Sequence, residues 1–294
     1  MKPVAFDYVR PASVAEACAL LAGDDGARVI AGGQTLIPML AMRLARPTRL
    51  VDIARIAELS FIREDGKGVR IGAVTRQSVA ERDRIVATKL PLLAKALPWV
   101  GHHATRVRGT VGGSIANGDP AGEIPLVAVT LQATITMQDG AGSTEVAAGE
   151  FYLGPMITAL PEGAIVTHIR FPVWQEGRTG TGFHEVSARR SDFAFVASAA
   201  QVALDADGRC TALSVGIGGA GDMPVRLDPV SEALVGSYLE ETEVREAVAA
   251  TTENLETVDD LHASASYRKR VAATLARRAI LDARDEALGG RHAR

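Results

Sequence analysis

Two stretches of this 294-residue chain concentrate groups that can grip an anion. The first is Ala31-Gly32-Gly33-Gln34-Thr35, at the change from a strand pattern to a helix pattern. Adjacent glycines tolerate positive φ and leave the backbone bare, so several N–H groups can converge at a helix N-terminus. A phosphate fits such a turn, and so does a tight strand-to-helix connection with no ligand. The second stretch, residues 108–121, joins Gly112-Gly113 to the hydroxyls of Thr110 and Ser114, the amide of Asn117 and the carboxylate of Asp119. Its residues are too small to fill a core, which suits a loop wrapped round a ligand. Neither stretch runs into the Lys-Ser/Thr of a nucleoside-triphosphate loop, so together they point to a diphosphate held by main-chain N–H groups. Asp119 either accepts from ribose or ribityl hydroxyls or serves the turn beside Pro120.

Other segments carry less. Gly216-Ile217-Gly218-Gly219-Ala220-Gly221 matches the spacing of a dinucleotide fingerprint, but Asp222-Met223-Pro224 follows where that fingerprint needs a helix. A glycine-rich strand end is the better reading. His102 and His103 are neighbours and the other four of the six histidines are scattered, so no metal spacing forms. There is no GxSxG nucleophile context and no distinct acidic pair. Two cysteines, Cys18 and Cys210, are too few for a structural zinc or an iron–sulfur cluster; any such centre belongs to another chain. With 32 Lys and Arg against 35 Asp and Glu the net charge is −3, which leaves no basic surplus for nucleic acid. The longest apolar stretches, around Leu126 to Met137 and Phe193 to Leu204, are broken by Thr, Gln and Ser and fall short of a membrane span. With no secretory pattern at the start and no disulfide framework, a cytoplasmic setting is expected.

A frame must position the two stretches. Ser13 and Glu16 form a capping box, and Val14, Ala17, Cys18 and Leu21 recur behind it at helical spacing, so a helix opens there with Cys18 facing the core. Residues 27–31 read as strand, the glycines as turn, and a helix continues from Thr35 with Pro38 in its first turn. Residues 50–53 return as a strand and close a βαβ-like lobe. From Glu58 to Val173 the pattern is mixed: a strand at 68–73, a helix at 90–100 after Pro91, and a hairpin of 133–138 with 144–147 around Asp139-Gly140. Pro172 and a flexible glycine-rich stretch, 177–182, mark a boundary. Strands at 183–188, 193–204 and 212–218 follow, then helices from Asp228. The last helix, 264–288, carries Tyr267, Val271, Leu275 and Ala279 on one stripe, with Arg268, Lys269, Arg277 and Arg278 largely outside it. The expected class is α+β, with domains at 1–175 (lobes 1–57 and 58–175) and 176–290.

In order and separation the two glycine segments resemble those of the FAD-binding medium subunit of the xanthine dehydrogenase and carbon monoxide dehydrogenase family, the molybdenum hydroxylases. The resemblance runs over nearly the whole chain. In that family an Ala-Gly-Gly-(His/Gln/Asn)-Ser/Thr loop, matched by Ala31, Gly32, Gly33, Gln34 and Thr35, and a Thr-(Ile/Val/Leu)-Gly-Gly-Asn/Ser loop, matched by Thr110, Val111, Gly112, Gly113 and Ser114, hold the FAD diphosphate between two lobes. Asn117 belongs to the same stretch, and the family's Ala-Asp-Pro aspartate is matched by Asp119. Flavin-proximal segments are matched by Gly163-Ala164-Ile165-Val166 and by residues 189–194, where Phe193 stands for an aromatic near the isoalloxazine ring. Pro224, the helix at Asp228 and the Tyr267-Arg268 helix resemble the family's small C-terminal domain. Two departures stand out: Val107 replaces a frequent Asn, removing one local hydrogen bond, and Phe193 replaces a frequent Tyr, so it stacks but cannot donate.

The resemblance implies a two-lobed PCMH-type (vanillyl-alcohol oxidase-like) FAD-binding domain followed by a small α+β C-terminal domain. It implies noncovalent FAD that passes electrons from a partner's iron–sulfur clusters to an external acceptor. The partners would be a large molybdopterin subunit and a small iron–sulfur subunit, assembled as a dimer of heterotrimers, with no catalytic residue or metal in this chain. An alternative is a self-sufficient flavin oxidase of the vanillyl-alcohol oxidase type. It is disfavoured by the absence of a large substrate domain and by Gln34, which stands where the covalent flavin His is common in that fold. A docking protein with empty loops is a third reading.

Overall fold

The computed structural model describes residues 2–175 and 177–289; Met1, Glu176 and residues 290–294, which hold His292 and the edges of the expected domain ranges, lie outside the described residues. The first lobe contains β1 (Asp7–Val9), α1 (Val14–Ala22), β2 (Ala27–Ile30), α2 (Leu36–Ala41) and β3 (Arg49–Asp52). Its strands pair in the order β1-β3-β2, all parallel. Parallel neighbours need a crossover, and α2 supplies the one between β2 and β3. The Ser13 hydroxyl accepts from the Glu16 amide and the Glu16 carboxylate accepts from the Ala12 amide, so α1 is held at its start. It buries Val14, Ala17, Cys18 and Leu21, the stripe its spacing predicts. Pro38 is the third residue of α2, where its missing N–H has no helical partner to lose.

The second lobe runs β4 (Ile62–Asp65), β5 (Gly68–Gly72), α3 (Gln77–Ala80), α4 (Arg84–Lys89), α5 (Pro91–Ala96), α6 (His103–Arg108), α7 (Val111–Asn117), α8 (Glu123–Thr130), β6 (Thr134–Gln138), β7 (Ser143–Ala147), α9 (Ala148–Phe151), β8 (Tyr152–Gly154), β9 (Ile157–Thr158) and β10 (Ile165–Pro172). The main sheet is antiparallel, ordered β4-β5-β10-β6-β7, with the hairpin of β6 and β7 closed by Asp139, whose carboxylate accepts from the Ala141 and Gly142 amides. Phe151, Phe171, Leu92, Leu93 and Ile124 are fully buried in its core, each worth about 1.5–3 kcal/mol of transfer free energy. The helix expected at 90–100 is shorter than its pattern. Pro91 opens α5, and Pro98 lies in a 3₁₀ turn over Leu97–Trp99 that ends the run. A larger correction concerns residues 108–121: α7 occupies the middle of the stretch and buries Val111, Gly112 and Ile115, so this is not an open loop.

The C-terminal part contains β11 (Arg178–Ser187), β12 (Ala194–Leu204), β13 (Cys210–Gly218), β14 (Val225–Arg226), α10 (Asp228–Leu234), α11 (Glu241–Glu253) and α12 (Ala265–Ala287). Its antiparallel sheet is ordered β11-β12-β13-β14. The stretch expected to be flexible, 177–182, instead leads from Gly177 directly into β11, hydrogen-bonded to β12 from Arg178 onward. Its glycines answer to packing: a Cβ on Gly180 or Gly182 would collide with the carbonyls of Ala283 or Ala279 on α12. The stripe of α12 is also rotated from its expected position. Tyr267 and Val271 are half-buried, whereas Arg268 is buried, because its guanidinium donates to the carbonyls of Phe195 (2.6 Å) and Gly219 (2.8 Å) and to Asp260 (2.6 Å). After Gly221 the chain turns into β14, and α10 opens only at Asp228.

Candidate functional site

From the end of β2 the chain turns through Ala31, Gly32, Gly33, Gln34 and Thr35 into α2, with Gly33 at φ +70°. Gly32 is bare because the second segment lies on it: a Cβ there would stand 2.5 Å from the Arg108 carbonyl oxygen and 2.8 Å from Gly109 Cα. The two segments touch. Among the described residues the amides of Gly32, Gly33, Gln34 and Thr35 reach no acceptor, and Thr35 opens α2 without a side-chain cap bond. A row of unfilled donors at a helix start is suited to hold an anion.

The second segment uses its amides differently. Val111 donates to the Thr75 carbonyl (3.0 Å), Gly112 to that of Ala73 (2.9 Å) and Ser114 to that of Thr110 (3.1 Å). Thr110 is the N-cap of α7, its hydroxyl accepting from the Gly113 amide (3.0 Å). The expectation that main-chain N–H groups of both segments converge on one anion is corrected here, since those of Val111 through Ser114 are already occupied. The Gly112 backbone packs on β5's exit, where a Cβ would come 2.5 Å from Ala73 Cα.

Between the segments lies a cavity of about 740 Å³. Ala31, Gly32, Gly33, Gln34 and Thr35 wall it on one side, and Thr110, Gly113, Ser114, Asn117 and Asp119 on another. Gly163 and Ala164 contribute from the turn before β10, and Phe193, 77% exposed, stands on the rim with Ser191 and Asp192. Two expected residues are not in the wall. Gly112 is buried under α7, and Ile165 is 1% exposed in the core of the first lobe beside Cys18 and Val74. Asp119 combines both of its readings: it faces the cavity, and its Oδ1 accepts from the Ala121 amide (2.9 Å) in a turn.

Residues with no motif complete the wall. Gln77, 5% exposed, donates its backbone N–H to the Gly109 carbonyl (3.0 Å) and its side-chain Nε2 to the Thr110 carbonyl (3.4 Å), while its Oε1 is buried without a partner in the cavity wall. Nothing in the sequence singles it out. Glu123, 8% exposed, opens α8 directly ahead of an apolar run, and that placement was the available signal. Burial pushes the Glu123 carboxyl up to about 7, with Asp119 adding repulsion and Arg106 opposing it. Burial also raises Asp119. The donors and acceptors fit a flavin dinucleotide: an unfilled amide row for a diphosphate, Asp119 and an orphan carbonyl at Gln77 for hydroxyl groups, and an aromatic at the mouth.

The sequence model for the FAD binding domain in molybdopterin dehydrogenase matches residues 4–174, and that for the CO dehydrogenase flavoprotein C-terminal domain matches residues 181–283. The chain is 35% identical over 284 residues to the 6-hydroxypseudooxynicotine dehydrogenase complex subunit alpha of Paenarthrobacter nicotinovorans, covering 96% of each. It is 36% identical over 282 residues to the carbon monoxide dehydrogenase medium chain of Afipia carboxidovorans, covering 95% of this chain and 97% of that one. Among solved structures, quinoline 2-oxidoreductase from Pseudomonas putida 86 matches with a TM-score of 0.93 at 35% identity, covering 98% of this chain and 100% of that one.

Proposed function

This chain belongs to the molybdenum hydroxylase family as an FAD-binding medium subunit, and we propose that its task there is electron transfer. FAD, when bound, supplies the redox chemistry, taking electrons from iron–sulfur clusters of a small partner subunit and passing them to an external acceptor. The amides of Gly32, Gly33, Gln34 and Thr35 hold the diphosphate from one wall. Ser114 and Asn117 add side-chain donors from the facing wall, and Asp119 and Gln77 accept from ribose or ribityl hydroxyls. Phe193 covers the ring at the mouth, while the backbone of Gly163 and Ala164, with Ile165 behind them, forms the floor nearby. Gly112 serves the site indirectly by seating α7. In this reading residues 1–175 form the FAD-binding domain and 176–290 the C-terminal domain. The chain works beside a large molybdopterin subunit and a small iron–sulfur subunit in the cytoplasm, in a dimer of heterotrimers.

The observation that carries this reading is the row of unfilled amides opening on a cavity walled by both glycine segments. Purification of the full chain expressed with the products of its neighbouring reading frames tests it. The expected result is a yellow complex of three chains whose FAD is released intact by acid precipitation. A chain that shows no flavin absorption after reconstitution with FAD overturns the reading. Bleaching of the flavin by a substrate added to the chain alone favours the self-sufficient oxidase instead.

A further inference from the structure

Three poorly exposed carboxylates follow one another from the cavity wall into the seam between the two domains. Asp119 and Glu123 face the cavity, and Glu185 lies on β11 with both carboxylate oxygens buried and unpartnered. Alternation along β11 sends His184 toward α12, where its ring meets Asp282 (2.8 Å), and sends Phe183 and Glu185 to the opposite face. Phe183 packs there against Trp99 of the FAD-binding domain, ring centroids 6.1 Å apart. On that face Glu185 is in register with Ala197 and Ala197 with Gly218. Gly218 in turn packs on the Pro120 carbonyl ahead of α8 and on Leu126 within it. Glu185 thus lies on the face of the C-terminal sheet that packs toward α8 and Glu123, near enough that a charge on Glu123 disfavours one on Glu185.

The cations around them are engaged elsewhere. Arg106, from α6, is held by Glu81 through two hydrogen bonds (2.8 and 3.1 Å) and by the carbonyls of Val100 and Gly101. Lys95, from α5, binds the Thr181 carbonyl and Glu286 of α12. Arg190, from the loop after β11, lies over the Trp99 ring. Two buried carboxylates with no counter-ion between them cannot both ionise cheaply, so a proton stays with the pair. Burial, and then the neighbouring Glu123, push the Glu185 carboxyl up to about 8, consistent with this geometry.

We propose that Glu123 and Glu185 form one proton-holding pair shared between the two domains, and that FAD entering the cavity fixes the pair in its uncharged form. This rests on the FAD reading above. The physical reason is that the dinucleotide brings its diphosphate charge and displaces water beside Glu123, both of which disfavour a carboxylate. The sign follows from linkage: near pH 6 and below both carboxyls already hold their protons and binding moves almost none, whereas above pH 8 most of both protons have left the free pair and binding must restore them, so FAD affinity falls as pH rises.

Calorimetric titration of FAD into the flavin-free full chain, in two buffers of different ionisation heat, reads this directly. At pH 6 the heats are expected to agree. At pH 8.5 they should differ by an uptake of more than one proton per FAD, with the dissociation constant rising by more than tenfold per pH unit. Glu123→Gln and Glu185→Gln should each reduce the uptake and flatten the pH dependence. Because either variant could fold poorly, the wild-type buffer comparison stands by itself: buffer-independent heats at pH 8.5, with FAD bound normally, overturn the proposal while leaving the FAD reading intact. Equal proton uptake by well-folded Gln variants overturns it as well. Absence of FAD binding at any pH would strike the FAD reading instead.

Discussion

In the segment 31–35 the amides of Gly32, Gly33, Gln34 and Thr35 have no acceptor within the described chain, whereas in the segment 110–114 those of Val111, Gly112, Gly113 and Ser114 are all bonded internally. The glycines differ accordingly. Gly33 has positive φ and Gly32 admits a neighbouring backbone, so the first pair shapes an open row of donors. Gly112 lets a helix settle onto Ala73, and Gly113 leaves room for the Thr110 hydroxyl that caps it, so the second pair builds a support. One sequence device, a Gly-Gly pair at a helix start, opens a row of donors in one place and seats a wall in the other. What separates them is whether the preceding residue caps the helix: Thr110 does, and Thr35 does not.

Gly32→Val is expected to have the largest effect on that contrast. Its side chain would meet main-chain atoms of Arg108 and Gly109, which cannot rotate away, so the segments separate and the donor row loses its aim. A cost of about 3 kcal/mol in FAD binding corresponds to roughly a hundredfold in dissociation constant, and the purified chain should be nearly colourless. Normal flavin content in this variant breaks the assignment of the first segment. Gly112→Val should show up in stability instead. Pressing into Ala73 amounts to overpacking, which costs about 1–3 kcal/mol, so the melting temperature falls while folded molecules keep most of their FAD affinity. A large loss of affinity without a lower melting temperature would mean that the second segment grips with its amides after all.

The smallest effects sharpen the comparison furthest. Thr110→Ala removes a helix cap and should destabilise the chain by about 1 kcal/mol. Thr35→Ala removes no cap bond and should stay within about 0.5 kcal/mol, as exposed substitutions usually do. Thermal melts of the two flavin-free variants decide this, and equal shifts would erase the distinction between the segments.

Much of the frame was legible because it rests on local signals. Ser13 with Glu16, the glycine turn after residues 27–30, Pro91 at a helix start and Asp139-Gly140 in a hairpin each act within a few residues of themselves. What stayed hidden depends on partners far along the chain. Gly180 and Gly182 look like linker glycines until α12 is laid across them, about a hundred residues later in sequence. Arg268 looks like a solvent residue until the carbonyls of Phe195 and Gly219 and the Asp260 carboxylate surround it, with Asp260 itself held at about 2 by the Ala263 and His262 amides and by Arg268. In the site, the residue types in the two segments announced a ligand, but which amides were free could be known only once Thr75, Ala73 and the Thr110 hydroxyl had claimed theirs. Gln77 and Glu123 joined the wall through packing alone.

The bare α-carbons of β11 bring α12 almost onto the strand's own backbone, with no layer of side chains between them to act as a cushion. Helix and strand consequently shift as one plank. Beyond Ser187, the last residue of β11, the chain runs through residues 188–192 to Phe193 on the cavity rim, so the seating of α12 on β11 also sets where the rim segment begins.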